Sequence, residues 1–186
     1  MEFAIPIVLI VVLLAWSIGN YNGLVRVNNH CDEAWSDIET ELKRRHDLIP
    51  RLVETVQGYA RHEERVFRSV SEARTKAQQD HDSAASVVAD ENDLVRQVGG
   101  LFALAEAIPE LKADEHFRAL QTELANTEDR VQSVRRFYNA NVRDLNNRIE
   151  SFPSNLLART FRFDQRTFFE LENLAERINI RVEDLD

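Results

Sequence analysis

The residues best suited to metal binding or catalysis are scattered along this chain of 186 residues. Its histidines are His30, His46, His62, His81 and His116. None lies three residues after a glutamate, so the Glu-x-x-His pairs typical of a di-iron helical bundle are missing from the sequence. His62-Glu63-Glu64 resembles the start of a zinc-protease motif, but Val66 stands where the second histidine is needed. We therefore expect no metal site.

Motifs for nucleophilic or nucleotide chemistry are also missing. The 5 glycines have neither the spacing of a phosphate-binding loop nor that of a nucleophile elbow. Cys31, the single cysteine, cannot form an intramolecular disulfide or a cysteine-based zinc site. We expect no catalytic residues, no cofactor and no small-molecule substrate, and the sequence indicates a protein that is not an enzyme.

The densest positive charge lies in one short segment, Lys43, Arg44, Arg45 and His46, followed by Arg51. In one interpretation, these cations complement the dipole at a helix C-terminus and pair with neighbouring carboxylates. In the other, they form a partner-binding tip. A straight helix would place residue 43 about 35 Å from a membrane surface, well beyond the Debye length of about 8 Å. Lipid binding by this cluster is therefore not expected.

The net charge argues against nucleic acid as a partner. The chain carries 32 acidic and 23 basic residues, which gives a formal net charge of −9. Such a protein repels phosphate backbones unless its cations gather on one face, and here they do not segregate strongly.

Aromatic residues concentrate in a C-terminal tail. Half of the 10 phenylalanines lie between residues 152 and 169, interleaved with arginines. This composition suits a membrane interface, and it suits packing on the open end of a helical bundle equally well. The residues predicted for the membrane interface are Phe161, Phe163, Arg159, Arg162, Phe168 and Phe169. The acidic segment from Glu170 to Asp186 is predicted to detach.

The apolar residues near the N-terminus predict a membrane anchor. Phe3 to Gly19 carries no charge and is rich in Ile, Val and Leu, and Trp16 can act as an aromatic anchor. A cleaved signal peptide is the alternative, but the residues before the apolar run include no Lys or Arg. The excess of Lys and Arg after the run favours a body in the cytoplasm.

Beyond the anchor, apolar residues recur at three- and four-residue steps, which indicates helices. The stripes are Leu24–Leu42, Ile49–Ala77, Val87–Ile108 and Phe117–Ile149. Between the first two, Asp47 can cap a new helix and Pro50 fits its first turn, so a hairpin is favoured over a kink. Asp114 is predicted to cap the last helix.

Short connections between these helices make neighbours antiparallel, so the predicted fold class is all-α. An N-terminal transmembrane helix precedes an up-and-down antiparallel four-helix bundle. The predicted domains are the anchor at 1–20, the bundle at 21–150 and the tail at 151–186. Two similar amide patches suggest a side-chain ladder, or else a polar binding groove, at the membrane-proximal end. The first helix carries Asn22, Asn28 and Asn29, and the last one carries Asn139, Asn146 and Asn147.

Three stretches of the chain resemble the LemA family. They are Ala34–Glu63, with KRRHDLIP and GYxxHE, then Ala125–Asn147, with a YN pair, and the FPSN sequence from Phe152. The resemblance implies a bacterial, membrane-anchored helical bundle with a short outside N-terminus and a cytoplasmic body. It also implies kinship with proteins that participate in membrane biogenesis in magnetosome-forming bacteria.

Together, these features predict a single-pass protein of the bacterial inner membrane that acts as a non-enzymatic scaffold or interaction protein. Its expected partners are the lipid bilayer, other proteins and further copies of itself. The alternative is a membrane-shaping protein that acts through oligomerisation and an interfacial C-terminal segment.

Overall fold

The computed structural model describes residues 4–81, 83–171 and 174 of the chain. In this part of the protein the regular structure is helical throughout, so the all-α prediction is confirmed. The helices are α1 (Ala4–Tyr59), α2 (Glu64–Ala77), α3 (Ala84–Glu106), α4 (Pro109–Lys112), α5 (Glu115–Glu150) and α6 (Ser154–Thr160).

The predicted hairpin near Pro50 is wrong, because α1 continues through this residue for a total of 56 residues. A proline inside a helix removes the hydrogen bond to the carbonyl four residues earlier, which here belongs to His46. Arg74 of α2 donates its Nε–H to that carbonyl oxygen at 2.7 Å. The acceptor is therefore satisfied from outside the helix, and the chain first leaves α1 after Tyr59.

The first part of α1 is exposed and apolar. From Ile5 to Leu14, the large apolar side chains are 57–68% exposed. Among the described residues, α1 is the one helix long and apolar enough to cross a membrane. These side chains pack against no other part of the described chain, and insertion into a bilayer would remove them from water.

The chain divides into two compact units, each assembled from separate segments. The first comprises Met1–Ser36 and Phe137–Phe168, and the second comprises Asp37–Arg136 and Phe169–Asp186. In the first unit, Cys31 of α1, Val142 and Leu145 of α5 and Ala158 of α6 are buried. Trp35 is half-buried, and its ring centroid lies 5.4 Å from that of Tyr138.

The second unit contains the larger hydrophobic core, which draws on α1 to α5. Its fully buried members include Val56, Val70, Leu94, Leu101 and Leu111. The predicted cap of the last helix is confirmed, because Oδ1 of Asp114 accepts from the backbone N–H of Phe117 at 2.8 Å. The hydroxyl of Tyr59 donates to the other oxygen of the same carboxylate at 2.9 Å.

Candidate functional site

The basic cluster of the sequence lies within α1 and is divided between two environments. Lys43, Arg44 and Arg51 are exposed, whereas Arg45 and His46 are buried. Successive helical residues point about 100° apart, so one turn of α1 sends these neighbours to opposite sides. Two expectations are thereby corrected. Arg45 and His46 do not belong to an exposed binding tip, and the cations do not mark a helix C-terminus, since α1 ends only at Tyr59.

Arg45 lies between two glutamates in the interior of the second unit. Its side chain is 0% exposed, and Glu91 of α3 and Glu128 of α5 are nearly as inaccessible. Arg45 Nη1 lies 2.9 Å from Glu91 Oε2, and Arg45 Nε lies 2.8 Å from Glu128 Oε1. The hydrogen bond between the Arg45 and Glu128 side chains runs from Arg45 Nη2 to Glu128 Oε2 at 3.3 Å.

His46 completes this buried charge cluster from the next position of α1. Its Nε2 lies 2.6 Å from Glu91 Oε1, so Glu91 contacts Arg45 through one oxygen and His46 through the other. Burial raises the pKa of Glu128, the nearby guanidinium of Arg45 lowers it, and the charge of Glu91 raises it further. The net direction of the pKa of Glu128 is upward, and burial is the largest cause.

The chemistry available to this cluster is limited by the arginine at its centre. A guanidinium remains protonated at any physiological pH, so it holds carboxylates rather than exchanging protons with them. No group of three or more metal-binding side chains occurs in the described ranges. The arrangement is therefore suited to joining α1, α3 and α5 in one register through charge-assisted hydrogen bonds.

Sequence reasoning missed Glu91 and Glu128, although a signal for them existed. Glu91 lies three and four residues before the buried Leu94 and Val95, and Glu128 lies four residues after the buried Leu124. Both glutamates therefore stand in line with the apolar stripes of their helices. A carboxylate on an apolar stripe, with an arginine on the stripe of another helix, predicts a buried ion pair.

The exposed half of the basic cluster lines a cleft of about 250 Å³ in the second unit. Lys43, Arg44 and Arg51 lie in its wall, together with Thr40, Asp47, Leu48 and Glu123. The three cations outnumber the two carboxylates. The structure thus brings together three of the five residues predicted for partner binding.

The aromatic tail begins in the first unit, where two of its rings pack on Tyr21. The ring centroid of Tyr21 lies 4.7 Å from that of Phe161 and 6.0 Å from that of Phe163. Arg159, Arg162, Phe161 and Phe168 are exposed, and Phe163 is half-buried.

The end of the tail behaves differently from the prediction. Phe169 is 0% exposed, so its ring is not available to the predicted membrane interface. Leu171 and Leu174 are also buried, which contradicts a detached segment at these two positions. Residues 172, 173 and 175–186 lie outside the described residues.

Two of the asparagines predicted to form an amide ladder, Asn28 and Asn146, instead bind Arg166. Asn28 Oδ1 accepts from Arg166 Nη2 at 3.0 Å, and Asn146 exchanges two hydrogen bonds with the backbone of Arg166. Asp32 Oδ1 adds an ion pair with Arg166 at 2.7 Å. This polar contact fixes the returning tail within the first unit.

An apolar N-terminal helix that continues into an all-helical body is the arrangement of a membrane-associated helical protein. Residues 34–183 match the LemA family, and the chain belongs to that family.

Two groups of relatives are similar over most of the chain. Protein LemA of Metamycoplasma hominis is 26% identical over 170 residues, covering 90% of this chain and 76% of the relative. Magnetosome protein MamQ 2 of Paramagnetospirillum magneticum is 22% identical over 191 residues, with coverages of 89% and 70%. Magnetosome protein MamQ of Magnetospirillum gryphiswaldense is 21% identical with the same coverages.

Proposed function

We propose that this protein is a membrane-anchored, non-enzymatic interaction protein that holds its helical units at the inner membrane of a bacterium. The observation that carries the proposal is the continuity of α1. The helix begins in an exposed apolar segment and continues, without a break, into buried positions such as Ile38, Leu52 and Val56. A single element thus serves as both anchor and core.

We propose an up-and-down antiparallel four-helix bundle for the second unit. Short connections at residues 60–63 and 78–83 favour antiparallel neighbours. The contacts of Arg45 with α3 and α5, and that of Arg74 with α1, support a common core for the four helical segments.

The positions of the charged side chains support a scaffold role. Arg45 occupies the space between Glu91 and Glu128, so the buried carboxylates are engaged by the protein itself. The accessible cations are those of the cleft, where Lys43 and Arg51 can meet carboxylates of another protein. We propose a protein partner with an acidic surface for this cleft.

Photo-crosslinking in native membranes tests the scaffold role. A photoreactive residue replaces Arg44 in the cleft, and a matched variant carries it at Arg118, an exposed position of α5. A protein product formed at position 44, absent at position 118 and lost on Arg51→Glu supports the scaffold. Equal products at both positions, or none at position 44, refute a binding role for the cleft.

The body is proposed to face the cytoplasm. With Cys31→Ala as background, a cysteine at Asn126, which is exposed on α5, should resist an impermeant maleimide in intact spheroplasts. It should react after permeabilisation. Ready labelling before permeabilisation would place the body on the opposite side.

Membrane shaping through oligomerisation is the second candidate. It is supported by the contact of Phe161 with Tyr21, which lies just beyond the apolar segment, and by relatives named as magnetosome proteins. The same photoreactive residue placed at Phe161 distinguishes membrane shaping from the scaffold role. Crosslinks to lipid or to a second copy favour membrane shaping, whereas products with other proteins alone oppose it.

A further inference from the structure

The segment after α6 returns to the level at which α1 leaves its apolar section. Tyr21 lies two residues beyond Gly19, the last residue of the apolar run, and therefore about 3 Å further along the helix. The rings of Phe161 and Phe163 both pack on Tyr21. A side chain added at Gly23 would meet Nη1 of Arg148 at 3.0 Å, so the end of α5 lies at the same level.

Arg162 holds these two phenylalanines in place with an uncommon backbone conformation. Its φ is 58°, in the left-handed region that glycine usually occupies at the end of a helix. The N–H of Phe161 donates to the carbonyl of Leu157, and that of Phe163 donates to the carbonyl of Ala158. This backbone conformation has a cost at an arginine that glycine would not incur.

The surface around this cap combines exposed apolar groups with exposed cations. Phe161 is 53% exposed, Leu156 is 59% exposed and Phe152 is 79% exposed. The side chains of Arg159 and Arg162 are exposed, and neither forms an ion pair within the described ranges of the chain. Apolar groups flanked by arginines at the end of a membrane helix suit the boundary between acyl chains and phosphates.

We propose that Arg159 and Arg162 bind the headgroups of anionic phospholipids, while Phe161, Leu156 and Phe152 enter the interface beside them. The site deepens the proposed function and rests on it, because it requires α1 to span the same bilayer. Lipid is the occupant because Tyr21, on which Phe161 packs, lies just beyond the apolar segment, and because the two guanidinium groups complement the charge of anionic phosphates. The left-handed conformation of Arg162 places a cation where glycine would make the same turn without a charge.

The test uses the full chain in nanodiscs of phosphatidylcholine with increasing fractions of phosphatidylglycerol. In a Cys31→Ala background, a nitroxide is attached to a cysteine at Thr160, which is exposed between the two arginines. Its accessibility to lipid-soluble oxygen, relative to a water-soluble nickel complex, reports depth. A second labelled protein carries the nitroxide at Val12 in the apolar segment and reports the anchor.

We expect the label at position 160 to move deeper as the fraction of phosphatidylglycerol rises. Arg162→Gly keeps the turn and removes the charge. It should reduce the preference for the anionic lipid about fivefold, because a cation at the membrane surface contributes about 1 kcal/mol and this energy corresponds to about that factor. Arg162→Lys should retain most of the preference. Arg130→Gln, at an exposed position of α5, should leave it unchanged.

Each contrary outcome has a distinct meaning. A depth at position 160 that does not respond to phosphatidylglycerol, while the label at position 12 lies in hydrocarbon, overturns the lipid site alone. A water-accessible label at position 12 overturns the anchor and the site together. If inorganic phosphate in neutral nanodiscs reproduces the full effect, the site binds free phosphate and the lipid assignment is wrong. If Arg130→Gln also loses the preference for phosphatidylglycerol, the preference comes from the net charge of the protein and the specific site is overturned.

Discussion

The buried charge cluster predicts a large loss of stability when its arginine is removed. In Arg45→Met, a chain of similar length replaces the guanidinium, and Glu91 and Glu128 lose a cation that contacts both at 3.3 Å or less. All three side chains are at most 2% exposed, so water cannot replace the lost contacts. Breaking a buried ion pair in this way costs about 3–5 kcal/mol of the free energy of unfolding.

Urea unfolding of the full chain in detergent micelles, followed by the helical circular dichroism signal, measures this loss. The matched control is Arg44→Met, one residue earlier on α1, where the side chain is 46% exposed and pairs with Glu41 at 3.5 Å. Loss of this surface pair should change the free energy of unfolding by about 0.5 kcal/mol or less.

A triple variant separates lost charge balance from lost packing. Arg45→Met combined with Glu91→Gln and Glu128→Gln removes every formal charge of the arginine and its two glutamates while conserving volume. Because neutral replacements of a buried ion cluster are often tolerated, the triple variant should recover most of the stability lost in the single variant. The reasoning is refuted if Arg45→Met equals Arg44→Met, or if the triple variant is less stable than Arg45→Met.

Three further results are expected. Burial raises the pKa of Glu128 above its ordinary 4.5, so the contribution of this carboxyl to stability is full below pH 4.5 and is lost as the pH rises through the folded-state pKa. The urea midpoint of Glu128→Gln should therefore rise relative to that of the wild type between pH 4.5 and neutrality. A difference in midpoint that stays constant with pH would contradict this. Burial also raises the pKa of the Cys31 thiol, which is fully inaccessible, so a maleimide should modify this thiol only at the rate of unfolding. Rapid labelling of the native protein would disprove the burial of Cys31. Hydrogen bonds from Phe117 and Tyr59 lower the pKa of Asp114, so the stabilising contribution of this carboxylate is present above pH 3.8 and is lost as the pH falls through the folded-state pKa. At neutral pH, Asp114→Ala should lower the Tm, whereas Asp114→Asn should keep most of the wild-type stability. Equal losses of Tm in both variants would show that the cap is not the cause.

The periodicity of apolar residues was sufficient to predict helices and most of their buried faces. Val27, Ile38, Val98 and Val142 stand on the predicted stripes and are all buried. A break at Pro50 was wrongly predicted, because the rule used for proline is local, whereas the carbonyl of His46 has its donor on Arg74, 28 residues further along the chain. No pattern within α1 alone could reveal that contact.

The candidate site was harder to predict than the fold. Arg45 and His46 were grouped with their exposed neighbours because consecutive charges in a sequence suggest a common surface, although a helix separates them. Their partners Glu91 and Glu128 lie in distant segments, and pairing them requires knowing which helices are neighbours. The contact of Phe161 with Tyr21 likewise joins residues from opposite ends of the chain.

The hydrogen bond from Arg74 to the His46 carbonyl has a consequence for the order of folding. During synthesis, residues 46 to 50 leave the ribosome before residue 74, so the carbonyl first has only water as a donor. Until α2 packs against α1, the helix retains a weak point at Pro50. The carbonyl of His46 therefore gains its protein donor only when α2 packs against this part of α1, which couples the completion of α1 at Pro50 to the packing of α2.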